Sequence, residues 1–165
     1  MFISLRFLLV GWLLLSSEVC FAQEPSKKIV RDFIGIVKSG NKEKLAWHVS
    51  YALYRGNLIP PIRNEKEFVE RYSEIFDEKL VHEIVTSDPE SDWSWVGYRG
   101  VMLKSGLVWL NEGGQLTAVN YQSPFEERLW RKLLVIDKKS LHPSLRDYDS
   151  PVLIIETSSH RIRID

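Results

Sequence analysis

Two hydrophobic periods divide this chain. Over residues 25–85 apolar side chains recur every three or four positions, the spacing that lays one stripe along a helix. Over residues 93–121 they alternate, the spacing that turns one face of a strand inward. Ile29, Val30, Phe33, Ile36 and Val37 form the first stripe, Pro25 suits its first turn and Gly40 stops it, which predicts a helix over 25–39. Asn41 can cap a second helix whose buried side is Leu45, Ala46 and Val49, and the tight Ser39-Gly40-Asn41 link makes the pair a helical hairpin. Gly56, Asn57, Pro60 and Pro61 forbid a continuous helix over 51–63, leaving a loop with a short extended piece. Asn64 and Glu67 then make a capping box that opens the strongest helix of the chain, with Phe68, Tyr72, Phe76, Leu80 and Ile84 at unbroken steps of four. Its other side carries Glu67, Glu70, Glu74, Asp77 and Glu78 among Lys66, Arg71 and Lys79, which reads as a solvated face rather than a cation site.

The stretch 93–121, WSWVGYRGVMLKSGLVWLNEGGQLTAVNY, predicts an antiparallel meander and is the scaffold on which the helices lie. Trp93 and Trp95 share a face of its first strand, Val101 to Leu103 resume the sheet, Ser105 and Gly106 turn it, and Leu107 and Trp109 share a face of the returning strand. Asn111 to Gly114 form a hairpin loop with permissive glycines before a last strand over 115–120. Gly97 and Gly100 bracket Tyr98 and Arg99, a pattern of bulge or close backbone approach. It is not a phosphate-binding loop, because the spacing, the following helix and the third glycine are missing.

Ser123, Pro124 and Glu126 start another helix, with Phe125, Leu129, Leu133 and Ile136 inward and Lys138 and Lys139 complementing its C-terminal dipole. A connector over 141–150 leads to an apolar strand over 152–155, and Ser158 and Ser159 turn into a strand over 160–165 in which Arg161 and Arg163 alternate with Ile162 and Ile164. The fold class is therefore α+β: N-terminal helices on an antiparallel meander, then a helix and a C-terminal β-hairpin. The units are a leader over 1–22, an α+β domain over 23–122 and an extension over 123–165.

The leader has the parts of an export signal. Arg6 is a thin positive n-region, Phe7 to Leu15 an apolar stretch too short to span a bilayer, and Cys20 with Ala22 the small residues before a cut after Ala22. The mature chain would begin at Gln23 with no membrane span and reside in the periplasm or outside the cell. The rival reading anchors a lipoprotein at Cys20; against it stand Ser17, Glu18 and Val19 where that signal wants a leucine and small residues. Cys20 is the only cysteine, so cleavage removes disulfides, thiolate nucleophiles and cysteine-ligated metals together.

Composition narrows the partners. In 165 residues, 44% hydrophobic and 12% aromatic side chains are enough for a core, and 22 basic against 22 acidic residues leave no field for a nucleic-acid backbone. No paired histidines at ligand spacing, HExxH, calcium loop, GxSxG elbow or P-loop occurs, so the sequence assigns no metal and no cofactor.

The two N-terminal helices joined at a Gly-Asn turn, the amphipathic FVERYSEIFDEKL and the tryptophan-rich WVGYRGVMLKSGLVWLNEGGQLTAVN together resemble exported bacterial members of the NTF2-like, or SnoaL-like, cone fold. The resemblance covers about 23–121. It implies helices on a strongly curved sheet around a cone-shaped pocket, used by isomerases, dehydratases, hydrolases and binding proteins alike, so it assigns no activity. Proton-transfer enzymes of that fold place an Asp or His inside the cone, and the candidates in this chain are His82, four residues after Glu78, with Asp77 and His48. A lone histidine near a helix end is the weaker kind of signal.

The aromatic set is the more informative constellation. Trp47, Tyr51, Tyr54, Trp93, Trp95, Tyr98 and Trp109, with Arg99 among them, gather around the exit of the second helix and the meander. Most belong in a core on burial statistics; Tyr98 and Arg99, held between glycines, are the candidates for a binding face. Two functions follow: a non-catalytic periplasmic binding or protein-interaction module, of inhibitor or immunity type, or a small cone-fold enzyme using a His or Asp acid-base. The partner is an unidentified protein or small molecule, a homodimer being a further option, and a structural role in the envelope is the third reading.

Overall fold

The computed structural model describes residues 23–151 and 153–164, so the leader, Cys20 and the cleavage point at Ala22 lie outside the described residues. Helix α1 (Gln23–Lys38) buries Val30, Phe33, Ile36 and Val37 on one side. Gly40, at φ 66°, reverses the chain, and the Asn41 side chain accepts from the Lys44 amide at 2.6 Å to start α2 (Lys42–Ala46). Val49 was expected on this helix but lies beyond it. The amide of Leu116 donates to His48 O and the amide of Ser50 to Leu116 O, so the chain pairs with a sheet strand instead of continuing the helix.

Helix α3 (Glu65–Ile75) is capped by Asn64, which accepts from the Glu67 amide at 2.9 Å, while Glu67 accepts from the Arg63 amide. The single long helix expected from Phe68 to Ile84 is two helices. Phe76 leaves helical geometry at φ −90°, ψ 71°, and Asp77 caps α4 (Glu78–Val85) by accepting from the Leu80 amide at 2.9 Å. A short acidic side chain competes for backbone donors, so it is a poor interior residue and a good cap. Phe76 nevertheless stays buried, stacked on Tyr72 at 5.0 Å and edge-on to Phe68, which is why the spacing of four survives the break.

The meander comprises β1 (Trp93–Trp95), β2 (Val101–Leu103), β3 (Val108–Leu110) and β4 (Leu116–Val119), antiparallel in that order. Register aligns Trp93, Leu103, Val108 and Val119 in one inward row and Trp95, Val101, Leu110 and Leu116 in the next. Ser94, Met102, Trp109 and Ala118 face outward. Leu107 and Trp109 were expected to share a face of this strand; Leu107 instead belongs to the turn before it, and the buried face of β3 is Val108 and Leu110. A bulge at Trp109/Leu110 lets Leu116 and Val119, three positions apart, both point inward. The helices cover this inward face, α1 lying against both α4 and β1, with Phe33 edge-on to Trp93 at 6.1 Å. Burying side chains such as Phe33 and Phe68 stabilises by about 1.5–3 kcal/mol each.

Helix α5 (Pro124–Ser140) follows the Ser123 cap, whose hydroxyl accepts from the Glu126 amide and donates to Glu74 O. Its orientation corrects the expected one. Phe125 and Ile136 are exposed, Leu129 and Leu133 half-buried, and the face turned inward carries Glu126 and Asp137. The reason is cationic: Arg55 meets Glu126, and Arg163 meets Asp137, which also accepts from Tyr148 Oη at 2.7 Å. The C-terminal pair β5 (Leu153–Glu156) and β6 (Arg161–Ile164) turns Arg163 towards α5 and leaves Leu153, Ile155, Ile162 and Ile164 exposed. No helix among the described residues is long and apolar enough to cross a membrane.

Candidate functional site

The turn between β1 and β2 is built to present side chains. Val96 donates to Gly100 O and Gly100 donates to Gly97 O, closing a tight 3-10 turn over Gly97–Arg99. Gly97 and Gly100 hold φ of 56° and 87°, and a Cβ on Gly100 would stand 2.0 Å from Leu110 O. Only glycine allows the turn to sit against the end of β3. The strap therefore has one seating, and from it Tyr98 projects with 87% of its surface exposed, the Arg99 guanidinium 5.9 Å from its ring. Trp95, at the end of the edge strand β1, remains 43% exposed although its row points inward.

The other aromatic candidates separate. Trp93 is core, its indole N–H donating to Ser87 Oγ at 2.9 Å. Tyr51 donates to Ala46 O and packs edge-on to Phe68; burial, helped by the charge of Glu65, pushes its phenol up to about 12. Trp109 is half-buried on the outer sheet face against Gly106. Tyr54 is 77% exposed and lines a cavity away from the others. The constellation is thus a rim group (Trp95, Tyr98, Arg99), a cavity residue (Tyr54) and packing residues (Tyr51, Trp93, Trp109).

The acid-base candidates do not converge. His48 lies in the turn after α2 with Nδ1 2.8 Å from Lys44 O, and His82 lies on the exposed side of α4. Asp77 has both oxygens engaged, one by the α4 cap and the other by the Tyr121 hydroxyl, which donates to it at 2.6 Å. The inward face of the sheet, where a cone pocket would open, is filled by Leu103, Val108, Leu110 and Leu116 under the helices. No group of His, Cys, Asp and Glu that could hold a metal ion occurs among the described residues.

The Tyr121–Asp77 contact has a pH signature. Burial, reinforced by the bond to Asp77, pushes the Tyr121 phenol from its ordinary 10 up to about 12. A raised folded-state value means that the contribution is complete below pH 10 and is lost as pH rises from 10 to 12. Unfolding free energies measured across that window should fall less steeply for Tyr121→Phe than for the wild type; equal slopes would contradict the assignment.

A cavity of about 770 Å³ lies between the 54–59 segment, the end of β4 and α5. One buried ion pair builds its wall. Arg55 Nε donates to Glu126 Oε1 at 2.8 Å and Nη2 to Oε2 at 2.6 Å, with further bonds to Tyr121 O and Val119 O, and the side chains are 3% and 1% exposed. Sequence reasoning missed this site because Glu126 was spent on the helix-start signal and Arg55 sits in a turn-forming loop. The one available signal was a charged residue, Arg55, placed directly after Tyr54 and before the turn formers Gly56 and Asn57. Trp47 lines a separate, shallower groove of about 430 Å³ between α2 and α3. Comparison of the chain with protein-family models, with curated proteins and with solved structures finds no match.

Proposed function

We propose that the chain is an exported, non-catalytic interaction module of NTF2-like type that engages a protein partner through the rim formed by Trp95, Tyr98 and Arg99. Export rests on the leader over 1–22, and the NTF2-like reading on helices covering one face of a four-strand meander. The observation that carries the function is the glycine-pinned turn. Tyrosine and arginine are the residue types that dominate binding energy at interfaces, and here a glycine-held turn displays both to solvent, their side chains making no hydrogen bond or ion pair among the described residues beyond their own cation-π contact. An inhibitor or immunity-type protein would use such a face. The cone-fold enzyme has less to support it, since Asp77 serves as a cap, His82 faces solvent and His48 is bonded to the backbone.

The test is capture from a periplasmic extract by the wild type and by Tyr98→Ala/Arg99→Ala. The double variant should lose a specific partner by at least about tenfold, or 1.4 kcal/mol, while its Tm moves by less than about 2 °C. Equal capture by both proteins would contradict the assignment.

A further inference from the structure

The cavity beside α5 has a chemistry of its own, separate from the rim. Its charges cancel: Arg55, Arg131 and Lys138 are matched by Glu126, Glu127 and Asp149. Arg55 and Glu126 neutralise each other in the wall, and Arg131 donates to Glu127 at 2.5 Å. Lys138 stands 4.7 Å above the Tyr148 ring. No field is left to select an anion or a cation. Aliphatic lining is limited to Ile59, Val119 and Leu134, too little for an acyl chain.

Of the three aromatic residues that line the cavity, Tyr121 has its hydroxyl spent on Asp77, which leaves Tyr54 and Trp130 as aromatic surfaces with unspent hydrogen-bonding groups beside them. Tyr54 is largely exposed and Trp130 half-buried, and neither the Tyr54 hydroxyl, the Trp130 indole N–H nor the Gln122 amide has a partner among the described residues. The Trp130 indole N–H is open to solvent, so a guest's hydroxyl can take the place of water there. A volume of about 770 Å³ lies within the range of small-molecule sites.

We propose that this cavity binds a neutral, hydroxyl-rich ring: a mono- or disaccharide. A pyranose has an apolar C–H face that stacks on an aromatic ring and an edge of hydroxyls that both donate and accept. Trp130 and Tyr54 supply the stacking surfaces, Gln122 and the indole N–H the donors, and the carboxylates of Glu127 and Asp149 the acceptors. The buried Arg55–Glu126 pair keeps this wall in place without ligand, which lowers the ordering cost of binding.

The experiment titrates the full chain with glucose, N-acetylglucosamine, maltose and diacetylchitobiose by calorimetry and saturation-transfer NMR, with citrate and octanoate as charged and amphiphilic probes. At least one saccharide should bind saturably with a Kd of about 1 mM or tighter. Trp130→Ala and Tyr54→Ala should each weaken it at least tenfold, and Tyr98→Ala should leave it unchanged. Gln122→Ala, which removes no side-chain hydrogen bond among the described residues, should weaken binding several-fold and keeps the test decisive where Trp130→Ala fails to fold. Binding of citrate or octanoate, but of no saccharide, in a manner that depends on Tyr54 and Gln122 overturns the proposal. So does silence from every saccharide, or saccharide binding indifferent to Tyr54 and Gln122. None of these outcomes bears on the Tyr98–Arg99 rim.

Discussion

Arg55→Met should destabilise the protein by about 3–5 kcal/mol, the range for stripping one partner from a buried ion pair. The Glu126 carboxylate would be left at 1% exposure without the guanidinium that now grips both of its oxygens. Two carbonyls, Val119 O and Tyr121 O, would lose their donor at the same time. The loss would spread, because this one side chain ties the 51–63 loop to the end of β4 and the start of α5. Arg55→Met/Glu126→Leu should recover part of the loss, since removing both charges abolishes the unpaired carboxylate while leaving the carbonyls unsatisfied. Urea unfolding of the single and double variants measures both effects. A double variant less stable than Arg55→Met would mean that the pair itself is not the source of the cost.

Gly100→Ala should cost about 3–4 kcal/mol, combining left-handed backbone strain with an overpacked contact. The new Cβ would meet Leu110 O at 2.0 Å and Asn111 Cα at 2.8 Å, both backbone atoms that cannot rotate away. Gly97 provides an internal comparison. Its φ is also positive, at 56°, but a Cβ there meets nothing within 4 Å, so Gly97→Ala should cost only about 1–2 kcal/mol. The contrast, read by thermal or urea unfolding, separates backbone conformation from close approach. Similar losses at both positions would show that the turn is not seated against β3 as described.

Local signals carried well from sequence to structure. Asn41, Asn64 and Ser123 each accept from an amide three residues on, so both partners of every cap fall within one short window of sequence. The meander was legible for a similar reason: alternation and glycine-bearing turns fix neighbouring strands one after another. The break at Asp77 was hidden because Phe76 and Leu80 keep the spacing of one continuous helix while belonging to different elements. The direction of α5 was hidden more deeply. Phe125, Leu129, Leu133 and Ile136 make the better apolar stripe, yet the inward face is decided by Arg55, 71 positions from Glu126, and by Arg163, 26 positions from Asp137. Hydrophobic periodicity carries no information about such pairs, and the cavity they frame was invisible for that reason. Tyr98 and Arg99 were readable as a candidate face because the glycines that hold them are adjacent in the chain.

The most direct measurement is site-specific photocrosslinking in cells that express the full chain, with a benzophenone amino acid placed at Tyr98 and, as a remote comparison, at exposed Lys132 on α5. The interaction module proposed above predicts a discrete adduct of one mass from position 98 and none from position 132. An adduct from position 132 with none from position 98, or the same diffuse pattern from both, would contradict it.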